Sequence, residues 1–131
     1  MDVDRNTRLE QLRNWVEDED TSIHPTDLVE GWGCWAPRLE HDYIETTVGF
    51  VDVDRVVGTH PINEDRCVER RLVKIVNKMA EGVWEAESEP VNLNRRPSDG
   101  QLFVGSDGNH RVLAHKFFGY DEIYAEVNWY E

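Results

Sequence analysis

The chain has 131 residues, 39% of them hydrophobic, and five tryptophans, which suffices for one domain with a single core. Its 27 acidic and 14 basic residues give a formal net charge of −13, which argues against direct DNA binding because an acidic surface repels phosphates. No apolar run approaches the roughly 18 residues that a membrane span needs, and the first residues lack the apolar core of a signal peptide. The composition therefore predicts a soluble, cytoplasmic protein without a membrane partner.

The basic residues are skewed towards arginine, with eleven Arg and only three Lys. Many carboxylates with few lysines are typical of proteins from salt-loving archaea, in which charge serves hydration and solubility. The alternative is an ordinary acidic protein that high net charge keeps soluble. The two cysteines, Cys34 and Cys67, form neither a C-x-x-C motif nor a disulfide framework, so both are expected to be buried free thiols.

The N-terminal segment is predicted to be a helix, which begins at a capping box over residues 7–10. A tryptophan-rich stretch follows at residues 31–37. We expect Trp32 and Trp35 to pack in the core, because buried aromatic side chains mostly belong to cores. In the alternative interpretation, the two indole rings flank a ligand.

A strand is predicted over residues 43–53, which are rich in β-branched and aromatic side chains. Asp52 and Asp54 would share one face of this strand, either as a solvated edge or as a pair that holds Mg²⁺. After a polar segment, apolar residues recur at helical spacing over residues 68–79, which predicts an amphipathic helix.

The C-terminal part of the chain alternates short apolar runs with turn signals. The predicted elements are strands at 91–93, 102–104 and 123–127, a hairpin turn at Asp99-Gly100, and a helix between a polar turn at 106–109 and Gly119. The order of elements predicts an α+β fold: a single small domain with a mixed β-sheet flanked by helices.

The turn before this last helix carries the residues with the clearest chemistry, Asp107, Gly108, Asn109, His110 and Arg111. The N–H groups and the dipole at a helix N-terminus favour an anion. Gly108 permits close approach of the backbone to a phosphate, and the three residues after it offer hydrogen-bond donors. The alternatives are structural: Asp107 as the helix N-cap, His110 as a core or capping residue, and Arg111 paired with a carboxylate.

The run Asp107 to Arg111, with the helix stop at Gly119 and the final strand, resembles the D-G-x-H-R signature of small nucleotide-binding members of the ParB/sulfiredoxin-like fold. The resemblance divides the chain into an N-terminal helix with a Trp-rich extension, residues 1–42, and a ParB/sulfiredoxin-like domain, residues 43–131. In sulfiredoxins a catalytic cysteine stands where this chain has Asn109, so thiol chemistry is not expected here. In chromosome-partitioning ParB proteins the turn reads Gly-Glu-Arg-Arg, which also differs.

The resemblance implies that the residues from Asp107 to Arg111 bind a nucleotide or a phosphorylated small molecule, with Mg²⁺ and ATP, ADP or CTP as the expected cofactors. Free-serine kinases of this fold use an acidic residue ahead of the long helix as catalytic base, and Glu64 or Asp65 occupies about that position. His110 would be the second catalytic residue, because it can offset charge that develops on the phosphate. Alternatively, the two carboxylates only favour the N-terminus of the following helix.

The implied activity is that of a Mg²⁺-dependent kinase or NTPase. One alternative is a non-catalytic nucleotide-sensing or protein-interaction module of a DNA-processing system. Another is a ParB-like nuclease, which the acidic surface disfavours. A homodimer or a protein partner is left open by the sequence.

Overall fold

The computed structural model describes residues 7, 8, 10, 11, 14, 29–63, 74, 75, 78 and 89–131. The strands are β1 (Gly33–Cys34), β2 (Tyr43–Asp52), β3 (Val56–Thr59), β4 (Val91–Arg95), β5 (Leu102–Val104) and β6 (Glu122–Tyr130). Helix α1 covers Asn109–Phe118, and short 3₁₀ turns cover Val53–Arg55 and Pro61–Asn63. None of the helical residues in these ranges belongs to a helix long and apolar enough to span a bilayer.

All six strands form one mixed sheet in the order β1-β3-β5-β4-β6-β2. The pairs β1–β3, β3–β5 and β4–β6 are parallel, whereas β4–β5 and β2–β6 are antiparallel. The predicted α+β class with a small mixed sheet is therefore confirmed. Strands β1 and β3, of two and four residues, were not predicted, because such short strands do not produce a recognisable alternation of apolar and polar side chains.

The core lies between one face of the sheet and α1. Eight of the ten residues of α1 are buried, and its Leu113 and Phe118 are among the side chains with almost no exposure. The helix ends as predicted at Gly119, which has φ 73° and donates its N–H to the carbonyl of Lys116 at 3.1 Å. The sheet contributes a set of buried apolar residues: Val56, Val91, Leu93, Leu102, Val104, Ile123, Ala125 and Val127.

The opposite face of the sheet carries a ladder of side-chain hydrogen bonds across β4, β6 and β2, which we call the Asn ladder. Its bonds run from Asn92 Nδ2 to Glu126 Oε1 (2.9 Å), from Asn128 Nδ2 to Asn94 Oδ1 (3.0 Å) and from Thr46 Oγ1 to Asn128 Oδ1 (2.8 Å). Because Asn94 is buried, its oxygen needs such a donor, and the register of the strands supplies it.

The tryptophan-rich stretch forms edge strand β1 and the loop after it. Trp32 lies in the core, as expected, whereas Trp35 is only partly buried and packs on Phe103 with a 5.8 Å separation between ring centroids. β1 approaches β3 so closely that a Cβ on Gly58 would lie 2.3 Å from the carbonyl oxygen of Gly33. The expectation of a buried Cys34 is wrong, because this residue lies at the end of the edge strand and its side chain is exposed. Cys67 lies outside the described residues.

The structure corrects one further expectation. β2 ends at Asp52, and Asp54 lies in the following 3₁₀ turn, so the two carboxylates do not share a strand face. Both predicted helices at 7–16 and 68–79 are described only in part: residues 7, 8, 10, 11, 14, 74, 75 and 78 are helical. The division of the chain at residue 42 stays a prediction, and β1 from the first segment pairs with β3 from the second.

Candidate functional site

The carboxyl ends of β3 and β5 bring together chain segments that are distant in sequence. β3 and β5 are parallel and end side by side, and the N–H of His60 donates to the carbonyl of Val104 at 2.7 Å. The N–H of Trp35 donates to the carbonyl of Thr59 at 3.0 Å. Trp35 and His60 therefore lie at the carboxyl ends of β3 and β5, the end of the sheet at which the turn after β5 leads into α1. Ligands of open α/β sheets commonly bind at the carboxyl ends of parallel strands.

Asn92, at the start of β4, holds the turn after β5 in place. Its carbonyl accepts a hydrogen bond from the N–H of Gly105 (2.9 Å), and its side-chain oxygen accepts one from the N–H of Ser106 (3.1 Å). Its own N–H donates to the carbonyl of Asp107 at 2.9 Å. Asn92 was not predicted to belong to the site, although a polar side chain within an apolar strand is a signal that could have identified it.

Gly108 immediately precedes helix α1. It is the N-cap, with φ 114°, and no side chain caps the helix there, so the alternative in which Asp107 is the N-cap is wrong. A Cβ on Gly108 would lie 2.6 Å from the Cβ of Val91, closer than such atoms can approach. The residue is therefore glycine for two reasons, its backbone conformation and its contact with β4.

Arg111 is buried, with 9% of its side chain exposed, and its guanidinium group has two acceptors. It donates to a carboxylate oxygen of Asp107 at 3.0 Å and to the carbonyl oxygen of Glu89. Asp107 itself is 79% exposed. The ion pair that the sequence offered as an alternative is thus present, and it ties the turn to the start of the helix and to the chain before β4. Phosphate binding by the Arg111 side chain stays a prediction.

The other predicted site residues are placed as follows. Asn109 is buried and His110 is partly exposed, both in the first turn of α1. Glu64 and Asp65 lie outside the described residues. No group of three or more His, Cys, Asp or Glu side chains that could hold a metal ion occurs among the residues that the structure describes.

His115 is a buried titratable residue one turn after Arg111. Its Nδ1 lies 2.6 Å from the carbonyl oxygen of Arg111, and because a carbonyl only accepts, Nδ1 must carry the proton. Burial, assisted by the charge of Arg111, lowers the pKa of His115, while the hydrogen bond to the carbonyl offsets part of this effect. The folded protein therefore holds this imidazole neutral.

We expect the free energy of unfolding to fall as the pH is lowered below about 6.5, the ordinary pKa of histidine. In that range the unfolded chain binds a proton at residue 115 that the folded chain does not bind, so unfolding is favoured by up to about 1.4 kcal/mol per pH unit. Urea unfolding between pH 7 and pH 5 should show a smaller pH dependence in His115→Gln than in the wild type. Equal slopes in the two proteins would contradict the prediction.

No protein-family model matches the sequence, and no curated protein matches it. The structure shows a small α+β domain with a mixed six-stranded sheet. At the carboxyl end of β5, a glycine turn (residues 105–108) leads into the buried helix α1.

Proposed function

We propose that the chain is a ParB-like domain that binds the phosphate of a nucleotide or of a phosphorylated small molecule at the turn from Asp107 to Arg111. One observation carries this proposal. Helix α1 begins at Asn109, after the short turn that follows β5, and it starts beside the carboxyl ends of the parallel strands β3 and β5. A helix N-terminus in this position presents backbone N–H groups and a positive dipole end, which favour a phosphate.

The binding groups would be the backbone of the first helical turn and the side chain of His110. The guanidinium of Arg111 already has two acceptors within the protein, so its part would be to hold the turn in shape. Trp35 and His60 lie at the same end of the sheet and could contact the remainder of the ligand, the first as a flat apolar surface and the second as a hydrogen-bonding group.

The residues at the turn fit a Mg²⁺ ion that arrives bound to the phosphates of a nucleotide, not an ion held by protein ligands alone. Mg²⁺ is often held by one or two carboxylates together with substrate phosphates and water. Asp107 is the exposed carboxylate at the turn and would be the protein ligand, since the described residues contain no group of three suitable side chains. Bound in this way, Mg²⁺ would neutralise charge on the phosphate oxygens.

Phosphoryl transfer or NTP hydrolysis is the activity that we propose for this site. Glu64 would accept a proton from the hydroxyl group or water whose oxygen attacks the γ-phosphorus, while the bond to the bridging oxygen breaks and the nucleoside diphosphate leaves. His110 would stabilise charge on the transferred phosphate. ATP with Mg²⁺ is the first substrate to test, because the resemblance of the turn is to nucleotide-binding members of the fold.

Calorimetric titration with ATP, ADP, CTP and inorganic phosphate, with Mg²⁺ and at low and high salt, tests the proposal. We expect wild-type protein to bind at least one nucleotide, and His110→Ala to raise its Kd by about tenfold, as the loss of one charge-assisted hydrogen bond would. Lys78→Ala, which removes an exposed basic side chain from a different helix, is the matched control and should keep the wild-type affinity.

If neither nucleotides nor phosphate bind at either salt concentration, phosphate binding is wrong and the alternative of a protein-interaction module gains support. If Lys78→Ala weakens binding as much as His110→Ala does, the attraction is a general charge effect and the turn is not the site.

A further inference from the structure

β2 is an edge strand with exposed apolar side chains, and no other described strand pairs with its outer side. β2 is the last strand of the sheet and is ten residues long, with β6 on its inner side. Two of its apolar side chains, Val48 and Phe50, are 57% and 50% exposed, and they lie on the same face because they are two residues apart. Phe50 contacts Tyr124 of β6, so this apolar surface continues onto the neighbouring strand.

This edge lacks the features that usually prevent pairing with another strand. Natural edge strands are typically short, or are interrupted by charged residues, proline or bulges. Residues 46–51 contain no charge and no proline, although 31% of the chain is charged. The irregularity of β2 lies at its start, between Tyr43 and Glu45, and leaves the rest of the edge regular.

We propose that β2 pairs antiparallel with β2 of a second copy of this chain, with Val48 on the twofold axis. In this register Thr46 faces Phe50 of the other copy, on the face of the sheet that carries the Asn ladder. Directly opposed residues of antiparallel strands share a face, and aromatic and β-branched neighbours stabilise such pairs. The same patch then serves both copies, as a closed twofold dimer requires.

The sequence of β2 is self-complementary in this register, which is why a second copy of the chain is the expected partner. The strand has two carboxylates, Glu45 and Asp52, near its two ends. With Val48 on the axis, Glu45 faces Val51 of the other copy, so no carboxylate faces another. The self-paired strand thus avoids like-charge contacts at the interface, even though each chain carries a net charge of −13.

Sedimentation equilibrium of the full chain at low and high salt tests this proposal. We expect a dimer that tightens as salt is added, because screening weakens repulsion between two acidic copies. Val48→Lys places two like charges opposite each other on the axis and should raise the dimer Kd by about tenfold or more. Ile62→Lys is the matched control: it adds the same charge at a residue 79% exposed near the other edge of the sheet and should leave the Kd unchanged.

Cross-linking tests the register independently. With Cys34→Ser and Cys67→Ser as background, Val48→Cys should give covalent dimers with a short thiol-to-thiol cross-linker, since opposed Cβ atoms lie about 5 Å apart. Ile62→Cys should not. A monomer at every salt concentration, a dimer that Val48→Lys leaves intact, or equal cross-linking at positions 48 and 62 would each overturn the proposal.

Discussion

Replacing Gly108 with alanine is expected to lower the free energy of unfolding by about 2–5 kcal/mol. Two effects add: an L-residue at positive φ costs about 1–2 kcal/mol, and overpacking in a well-packed region costs about 1–3 kcal/mol. At Gly108 φ is 114°, and the added Cβ would lie 2.6 Å from the Cβ and 2.7 Å from the Cγ1 of Val91. Because both of these atoms belong to a buried side chain of β4, the strand or the helix start must shift.

Urea unfolding followed by tryptophan fluorescence measures this loss, with Gly31→Ala as the matched control. Gly31 also has a positive φ, 73°, but a Cβ there would meet nothing within 4 Å. The control should therefore show only the backbone cost of about 1–2 kcal/mol. Equal losses in the two variants would mean that the contact between Gly108 and Val91 contributes nothing, and that the turn is less tightly held against β4 than the structure indicates.

Arg111→Met is expected to lower the free energy of unfolding by about 2–4 kcal/mol. The variant keeps most of the apolar stem but removes a charge-assisted hydrogen bond to the Glu89 carbonyl, worth about 1.5–3 kcal/mol, and an ion pair with the exposed carboxylate of Asp107, worth about 1 kcal/mol or less. Arg111→Lys should recover only part of the loss, because a single ammonium group cannot reproduce a planar fork that reaches two acceptors.

The exposed pair between Arg96 and Asp99 provides the control for Arg111. Its atoms are closer, 2.6 Å apart, but its side chains are 31% and 42% exposed, and the guanidinium also lies over the ring of Phe103. Surface ion pairs and exposed cation–π contacts are weak, so Arg96→Met should cost about 1 kcal/mol or less. If Arg111→Met costs no more than Arg96→Met under the same urea titration, Arg111 does not anchor the turn.

The elements that sequence predicted well are those with strong local signals. β5, the glycine turn, α1 and the stop at Gly119 follow one another with punctuating glycines at both helix ends, and the structure has them within a residue or two of the predicted bounds. β2 was predicted equally well, because a run of ten residues rich in Thr, Val and aromatic side chains is typical of a strand.

The remainder depends on contacts between distant segments, which local pattern does not encode. β1 pairs with β3 where the backbone of Gly33 approaches Gly58 so closely that a Cβ on Gly58 would not fit, and nothing in the sequence around Gly58 signals this contact. The acceptors of Arg111 were equally hidden: Asp107 is one turn away, but the Glu89 carbonyl reaches the guanidinium only because β4 lies beside the turn. His60 lies next to the end of β5 because β3 pairs in parallel with β5, and this pairing was not predicted from the sequence.

The Asn ladder has a consequence for how the strands find their partners. If β4 slipped by one residue, Asn92 and Asn94 would turn towards α1 and Leu93 would turn away from it, because side chains alternate along a strand. Two amides would then be buried among Val, Leu and Phe without their present partners, at a cost of about 1–3 kcal/mol each. The amide side chains thus make registers of β4 that are shifted by one residue unfavourable. Only in the observed register does Asn92 hold the turn at residues 105–108 in the position from which α1 begins.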